Sequence, residues 1–244
     1  MEIKALIFDY GGTLDTDGMH WSHILWQGFQ HADQVCAFTN PLSVVSWQAF
    51  RDAYVFGERT LGREEIIAPT DNFHQVLLKK VDLETRYLVE QKFWTPTEAE
   101  RLQAIQTIAQ YCNDYAKHNV DRARALLDKF AQTYRLVLVS NFYGNVRAVL
   151  QDYGLTHFSA VIESAEVGIR KPDPAIYRLG VEAAGVDASA CCVIGDSFSK
   201  DIVPATSLGC QTVWLKGKTW ERETVDESVP THIITSLTEL ANIF

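Results

Sequence analysis

The chain has 244 residues, 22 of them basic and 31 acidic, for a net charge of −9. This balance argues against a general nucleic-acid-binding surface, which needs a basic footprint. Any anionic ligand must therefore be held by a few local donors or a metal. The length allows one large domain or two small ones, with enough chain to bury a core without covalent staples.

Five cysteines (Cys36, Cys112, Cys191, Cys192 and Cys210) show no C-x-x-C spacing. The adjacent Cys191 and Cys192 lie in an apolar run and read as small buried hydrophobes. The first apolar run stops at Asp9, too short for a signal peptide. No stretch approaches the ~18 apolar residues of a membrane span. A protein of the reducing cytoplasm, with no membrane partner, is expected.

In chain order, a buried strand is expected over Ile3–Phe8, running into Asp9 and a Gly11-Gly12 loop. Residues 16–120 hold no strand-like run of comparable strength. They read as helices at about 20–38, 43–56, 71–80, 84–93 and 96–117. The last opens with Thr95-Pro96-Thr97-Glu98, an N-cap, a proline and a capping glutamate. Strand-like runs then return at Arg135–Ser140, Phe158–Glu163, Cys191–Ile194 and Gln211–Leu215. Helices are expected between them over Asn145–Tyr153, from Asp173 with Pro174 in its first turn to a stop at Gly185, and over Ser199–Leu208. A closing helix from Ser236 to Phe244 starts with a capping box. This alternation predicts an α/β fold with a doubly wound parallel sheet covered on both faces. A parallel crossover needs only a dozen or more residues. Over a hundred separate the first two strands, so a helical subdomain is inserted there. The expected division is a core of 1–15 plus 121–244 and a helical cap of 16–120.

Four polar clusters lie at or just after strand ends. They are Asp9 within DYGGTLD, Ser140-Asn141, Lys171 within GIRKPDP, and Asp196 with Asp201 in GDSFSKD. In an open parallel sheet, ligands bind outside the carboxyl ends of the strands. Singly, each cluster reads equally well as a turn, a cap or a solvated helix start. Their occurrence after four successive strands argues for one crevice where carboxylates, a hydroxyl and an ammonium meet.

These residues resemble the haloacid dehalogenase superfamily, which is mostly phosphatases. The resemblance rests on Asp9 through Thr13, Ser140, Lys171, and Asp196 with Asp201, and covers nearly the whole chain. It implies a Rossmann-like core, and the all-helical insertion is similar to the family's small helical cap class. It further implies an Mg²⁺-dependent phosphohydrolase of a small phosphorylated metabolite, with Asp9 as nucleophile forming an aspartyl-phosphate. The implied metal ligands are Asp9, the Gly11 carbonyl and Asp196, with Asp201 orienting metal-bound water or Lys171. Ser140, the Asn141 backbone and Lys171 would hold the phosphoryl oxygens. The chemistry is coherent, because phosphoryl transfer depends mainly on positioning and charge neutralisation. A hard cation on carboxylates offsets the repulsion between Asp9 and a phosphate.

One position departs from the family pattern. Two residues after the nucleophile, the phosphatases normally carry a second aspartate as general acid; here it is Gly11. General acid–base assistance is worth about 10²–10⁴-fold, so poor leaving groups should react slowly. Dehalogenases of the family also lack this acid, but they use no metal and lack the acidic pair kept here as Asp196 and Asp201. Phosphonatases use a cap lysine, whereas no lysine lies between Ala5 and Leu78. A non-hydrolytic protein that binds a phosphorylated ligand or a partner is the remaining alternative.

Asp15 and Asp17 fall at the expected hinge, and His20 and His23 begin the cap; capping, hinge solvation and packing are their expected roles. Trp21, Trp26, Phe29, Phe38, Trp47 and Phe50 are expected to pack between cap helices. Arg51, Arg59 and Arg63 are expected to face solvent.

Overall fold

The structure, a computed structural model, describes residues 2–220 and 224–244. β1 (Ala5–Phe8) is a four-residue run of Ala, Leu, Ile and Phe, wholly buried. α1 (Trp21–Val35), α2 (Trp47–Leu61), α3 (Phe73–Glu90) and α4 (Glu98–Phe130) follow. β2 (Arg135–Ser140), α5 (Val146–Asp152), β3 (Ala160–Glu163), α6 (Ser164–Val167) and α7 (Pro174–Ala184) come next. β4 (Cys191–Gly195), a helical turn over 198–202, α8 (Val203–Ser207), β5 (Gln211–Leu215) and β6 (His232–Ile234) complete the alternation. A short 3-10 helix over 237–242 closes the chain, opened by the expected Ser236–Glu239 capping box.

The six strands form one sheet in the order β3-β2-β1-β4-β5-β6. Every neighbouring pair is parallel. The chain winds outward from β1 to β3, returns, and winds the other way from β4 to β6. This is the doubly wound α/β arrangement with an inserted helical subdomain that the alternation predicts. β1, β2 and β4 are continuous apolar runs because both faces of the sheet are covered. On one face Ile7, Val137, Val139 and Val193 join Ile176 and Tyr177 of α7 in a single apolar cluster. The edge strand β6 is only three residues long, too short to leave a periodic signal in the sequence.

The chain falls into two compact units, one of residues up to 20 together with 116–244, the other of 21–115. The first holds the sheet. The second is helical and packs as the aromatic spacing predicts. Trp26 and Phe29 of α1 meet Phe50 of α2 at ring centroids 5.0 and 5.2 Å apart, and Trp26 meets Trp47 at 5.4 Å. His23 stacks on Trp47. His20, in the first unit, lies against Trp220.

Several helix limits differ from those expected. The segments 71–80 and 84–93 are one helix, α3, opened by an Asn72–Gln75 capping box. Its buried stripe of Val76, Leu77, Val81, Glu84 and Leu88 runs through without a breaker. α4 likewise continues past 117 to Phe130, because Ala104, Ile108, Cys112, Ala116, Val120 and Leu127 keep one buried stripe going. Its N-terminal box lies two residues later than expected: Thr97 and Glu100 exchange the capping hydrogen bonds. All five cysteines are buried free thiols. Among the described residues, no helix is long and apolar enough to cross a membrane.

Candidate active site

Winding outward from β1 in both directions places Asp9 at the point where the strand order reverses, where open α/β sheets take ligands. Asp9 continues β1 with its amide on the Ile194 carbonyl (2.9 Å). Asp196 follows β4, the neighbour of β1 on one side, and Ser140 ends β2, its neighbour on the other. Four of the expected residues thereby converge. The Lys171 ammonium lies 2.6 Å from Asp9 Oδ1 and 2.8 Å from Asp201 Oδ1. Oxygens of Asp9, Asp196 and Asp201 all lie within 4.8 Å of one another. Thr13 stitches the group together. Its hydroxyl lies 3.3 Å from Asp9 Oδ2 and accepts from the Asp196 amide at 3.1 Å.

Two glycines make this convergence possible. Gly12 has φ +95°, and a Cβ there would come within 2.4–2.7 Å of the Asp196 carboxylate. A Cβ on Gly195 would meet Asp201 at 2.5–2.6 Å. Both positions therefore exclude any side chain by close approach. Gly11 is different: its φ of −77° and ψ of 116° suit any L-residue, and a Cβ there would have no atom within 4 Å.

The electrostatics follow from burial. Asp9, Lys171 and Asp201 are 5%, 5% and 1% exposed. Burial raises the Asp9 pKa to about 6, against the opposing pull of Lys171 and with a further push from Asp201. Burial, then Asp9 and Asp201, hold Asp196 well above the ordinary carboxylate range. For Lys171 burial works downward, but Asp201 and Asp9 outweigh it and keep the ammonium above its usual value. Three carboxylates, two buried and Asp196 half-buried, thus cluster beside one ammonium. A divalent cation matches that excess of negative charge and that all-oxygen donor set.

The remaining expected residues take less direct places. Ser140 is buried at the end of β2. The Asn141 side chain does not point to a ligand. It clasps the Lys171 backbone, donating to its carbonyl (3.2 Å) and accepting from its amide (2.9 Å). The Asn141 side chain is thereby committed to fixing the Lys171 backbone. Asp201 is nearly saturated. Oδ1 accepts from both Lys171 and the Tyr177 hydroxyl (2.7 Å), and Oδ2 accepts from the Ser197 amide (3.0 Å). Asp15 is wholly buried and accepts from the Gly12 amide at 2.7 Å. Asp17, at φ +52°, caps the closing helix through the Leu237 amide (2.6 Å) and the Ser236 hydroxyl (2.9 Å).

Sequence reasoning missed Tyr177. It sits on α7, wholly buried, with its ring 5.3 Å from the Lys171 ammonium. The only available signal was its place six residues after Lys171, just over one turn into α7.

A family model described as haloacid dehalogenase-like hydrolase matches residues 3–209. Haloacid dehalogenase-like hydrolase domain-containing protein 3 of Danio rerio is 38% identical over 42% of this chain and 43% of its own length. Pyrimidine 5'-nucleotidase YjjG of Escherichia coli is 30% identical over 50% of this chain and 54% of its own. The chain thus spans about half the length of these curated relatives, or less. The crystal structure of the magnesium-bound hydrolase YfnB of Bacillus subtilis shares the fold at a TM-score of 0.61 and 21% identity, over 100% of this chain and 99% of that one. With the family model spanning most of its length and its polar clusters gathered at one switch point, the chain belongs to the haloacid dehalogenase-like hydrolases.

Proposed function

We propose that the protein is an Mg²⁺-dependent phosphohydrolase of a small phosphorylated metabolite, and that Gly11 restricts it to leaving groups needing little protonation, such as acyl, anomeric or aryl phosphates. The observation that carries this reading is the clustering of half-buried Asp196 with buried Asp9 and Asp201, the latter two paired with Lys171. Asp9, Asp196 and the Gly11 carbonyl would hold the cation, which supplies neutralisation of the phosphoryl charge. Asp201, already occupied by three donors, serves by holding Lys171. A nucleotidase among the relatives and a magnesium-bound neighbour support the phosphoryl and metal assignments.

In this reading Asp9 attacks phosphorus, the bond to the leaving oxygen breaks, and an aspartyl-phosphate forms. Lys171, Ser140 and the Asn141 amide hold the phosphoryl oxygens. The leaving group departs as its anion, because position 11 offers no proton. Water then attacks phosphorus, the bond to Asp9 breaks, and phosphate and the free carboxylate result. Dehalogenation fits less well, because it has no use for the cluster that Asp196 and Asp201 form with Asp9.

The glycine at position 11 favours one second reading, a non-hydrolytic protein that binds a phosphorylated ligand or a partner. A screen of ester, acyl and anomeric phosphates, with and without Mg²⁺, separates the two. Metal-dependent turnover that Asp9→Asn abolishes supports the enzyme. Phosphate-ligand affinity without turnover supports the binder.

A further inference from the structure

We propose that Glu163 is a positioning residue for the phosphoryl group, acting through the loop after β2. The proposal rests on the phosphohydrolase reading, in which that loop carries Ser140 and the Asn141 amide. Glu163 ends β3 directly beside Ser140 in the sheet register. It is wholly buried, yet its carboxylate is turned into the loop rather than toward solvent. One oxygen accepts from the Gly144 amide at 2.5 Å, and the Val146 amide lies 3.4 and 3.3 Å from the two oxygens. The next residue, Ser164, accepts from the Phe142 amide at 3.3 Å. The loop amides at 142, 144, 145 and 146 are therefore held by the last residue of β3 and the one after it.

This arrangement has two consequences for an anion. The amides of Gly144 and Val146 are spent on the protein's own carboxylate and that of Phe142 on Ser164, so these three are not offered to a phosphoryl group held by Ser140 and the Asn141 amide. Those two groups are placed only as well as the loop behind them. The same loop carries the Asn141 side chain that clasps the Lys171 backbone, so a displaced loop would misplace the ammonium too. Errors of about 1 Å in such positions can cost on the order of 10²-fold in rate. Burial drives the Glu163 pKa upward while the Gly144 amide draws it down. An oxygen acceptor is what the loop requires, and a glutamine supplies one.

The test compares wild type, Glu163→Ala and Glu163→Gln by two independent readouts. The first is competitive inhibition by inorganic phosphate together with KM and kcat for an aryl phosphate. The second is amide hydrogen exchange over 141–146. Glu163→Ala is expected to weaken phosphate inhibition and raise KM by about 10-fold or more, and to lose protection at 144 and 146, whose amides it accepts. Glu163→Gln is expected to stay within about threefold of wild type on both. If Glu163→Ala does not fold, Glu163→Asp replaces it, since the shorter side chain withdraws the acceptor and should give the same pattern more weakly. Unchanged exchange, unchanged phosphate inhibition, or a glutamine variant as impaired as the alanine would each overturn the proposal. If wild type neither turns over nor binds phosphate, the phosphohydrolase reading falls, and exchange alone judges whether Glu163 holds the loop.

Discussion

The Lys171 ammonium bridges Asp9 and Asp201, 2.6 Å from one carboxylate and 2.8 Å from the other, with all three groups almost fully buried. Removing one partner of such a buried set leaves uncompensated charge and costs about 3–5 kcal/mol. Lys171→Met is therefore expected to lower stability in urea unfolding by that order and to reduce kcat for aryl phosphates at least 100-fold. Lys171→Arg is not expected to rescue, because a planar guanidinium cannot present one compact charge to two carboxylates from the same point. A methionine variant that keeps near wild-type turnover would remove Lys171 from the chemistry.

At Gly11 the backbone conformation is ordinary, and a side chain would enter open space. Gly11→Asp should therefore fold without strain, unlike substitutions at Gly12 or Gly195. By the family pattern it would restore a proton donor. The expected result is a gain of about 10²–10⁴-fold in kcat/KM for alkyl phosphates, with little change for aryl phosphates. The ratio of the two rates is the measurement. Equal gains, or none for alkyl esters with the aryl rate intact, would mean that protonation of the leaving group is not the limiting step.

The parts of the site that were legible in the sequence share one physical origin. A strand buried on both faces is an unbroken apolar run, so Asp9, Ser140 and Asp196 announced themselves as polar residues where such runs end. Lys171 was marked by the proline and capping aspartate that open α7. Residues acting from behind carried no such mark. Tyr177 looks like any aromatic on the buried face of an amphipathic helix, and only the fold turns its hydroxyl onto Asp201. The Asn141 side chain reads as loop punctuation until β2 and the start of α7 are adjacent. Helix limits were less legible for a related reason: α3 and α4 contain no glycine or proline, and the polar stretch at 117–119 resembles a helix end without being one.

Tyr177 offers a direct test of the support behind Lys171. Its hydroxyl shares Asp201 Oδ1 with the ammonium, and burial followed by the Asp201 charge holds the phenol well above its usual pKa. It is thus a hydrogen-bond donor throughout the working range. Tyr177→Phe keeps the ring under Lys171 and removes only that donor. A hydrogen bond to a charged group is worth about 1.5–3 kcal/mol, and a loss of that size is expected in urea unfolding. Turnover should fall about 10-fold through kcat, because Lys171 loses a fixed anchor while the anion loop is untouched. A change confined to KM would place Tyr177 elsewhere in the mechanism.

The helical unit carries an ionisable group with no part in this chemistry. Glu84 of α3 is wholly buried, and among the described residues neither carboxylate oxygen has a hydrogen-bond partner. Its neighbour Lys80 is paired with Glu58 of α2 and lies over the Tyr54 ring. Burial raises the Glu84 pKa to about 8; Lys80 opposes the shift and Glu58 adds to it. An acid whose folded pKa exceeds its unfolded value binds its proton more tightly when folded. Its contribution to stability is full below about pH 4.5 and is lost as pH rises toward about 8. Between about pH 5 and pH 8 this should cost on the order of 3–4 kcal/mol. Glu84→Gln holds the neutral shape and should not lose it. Urea unfolding of both proteins across that interval is the check, and the stability difference in favour of the variant should widen as pH rises. Parallel pH profiles would mean that the carboxylate is hydrated or paired in solution and titrates near its ordinary value.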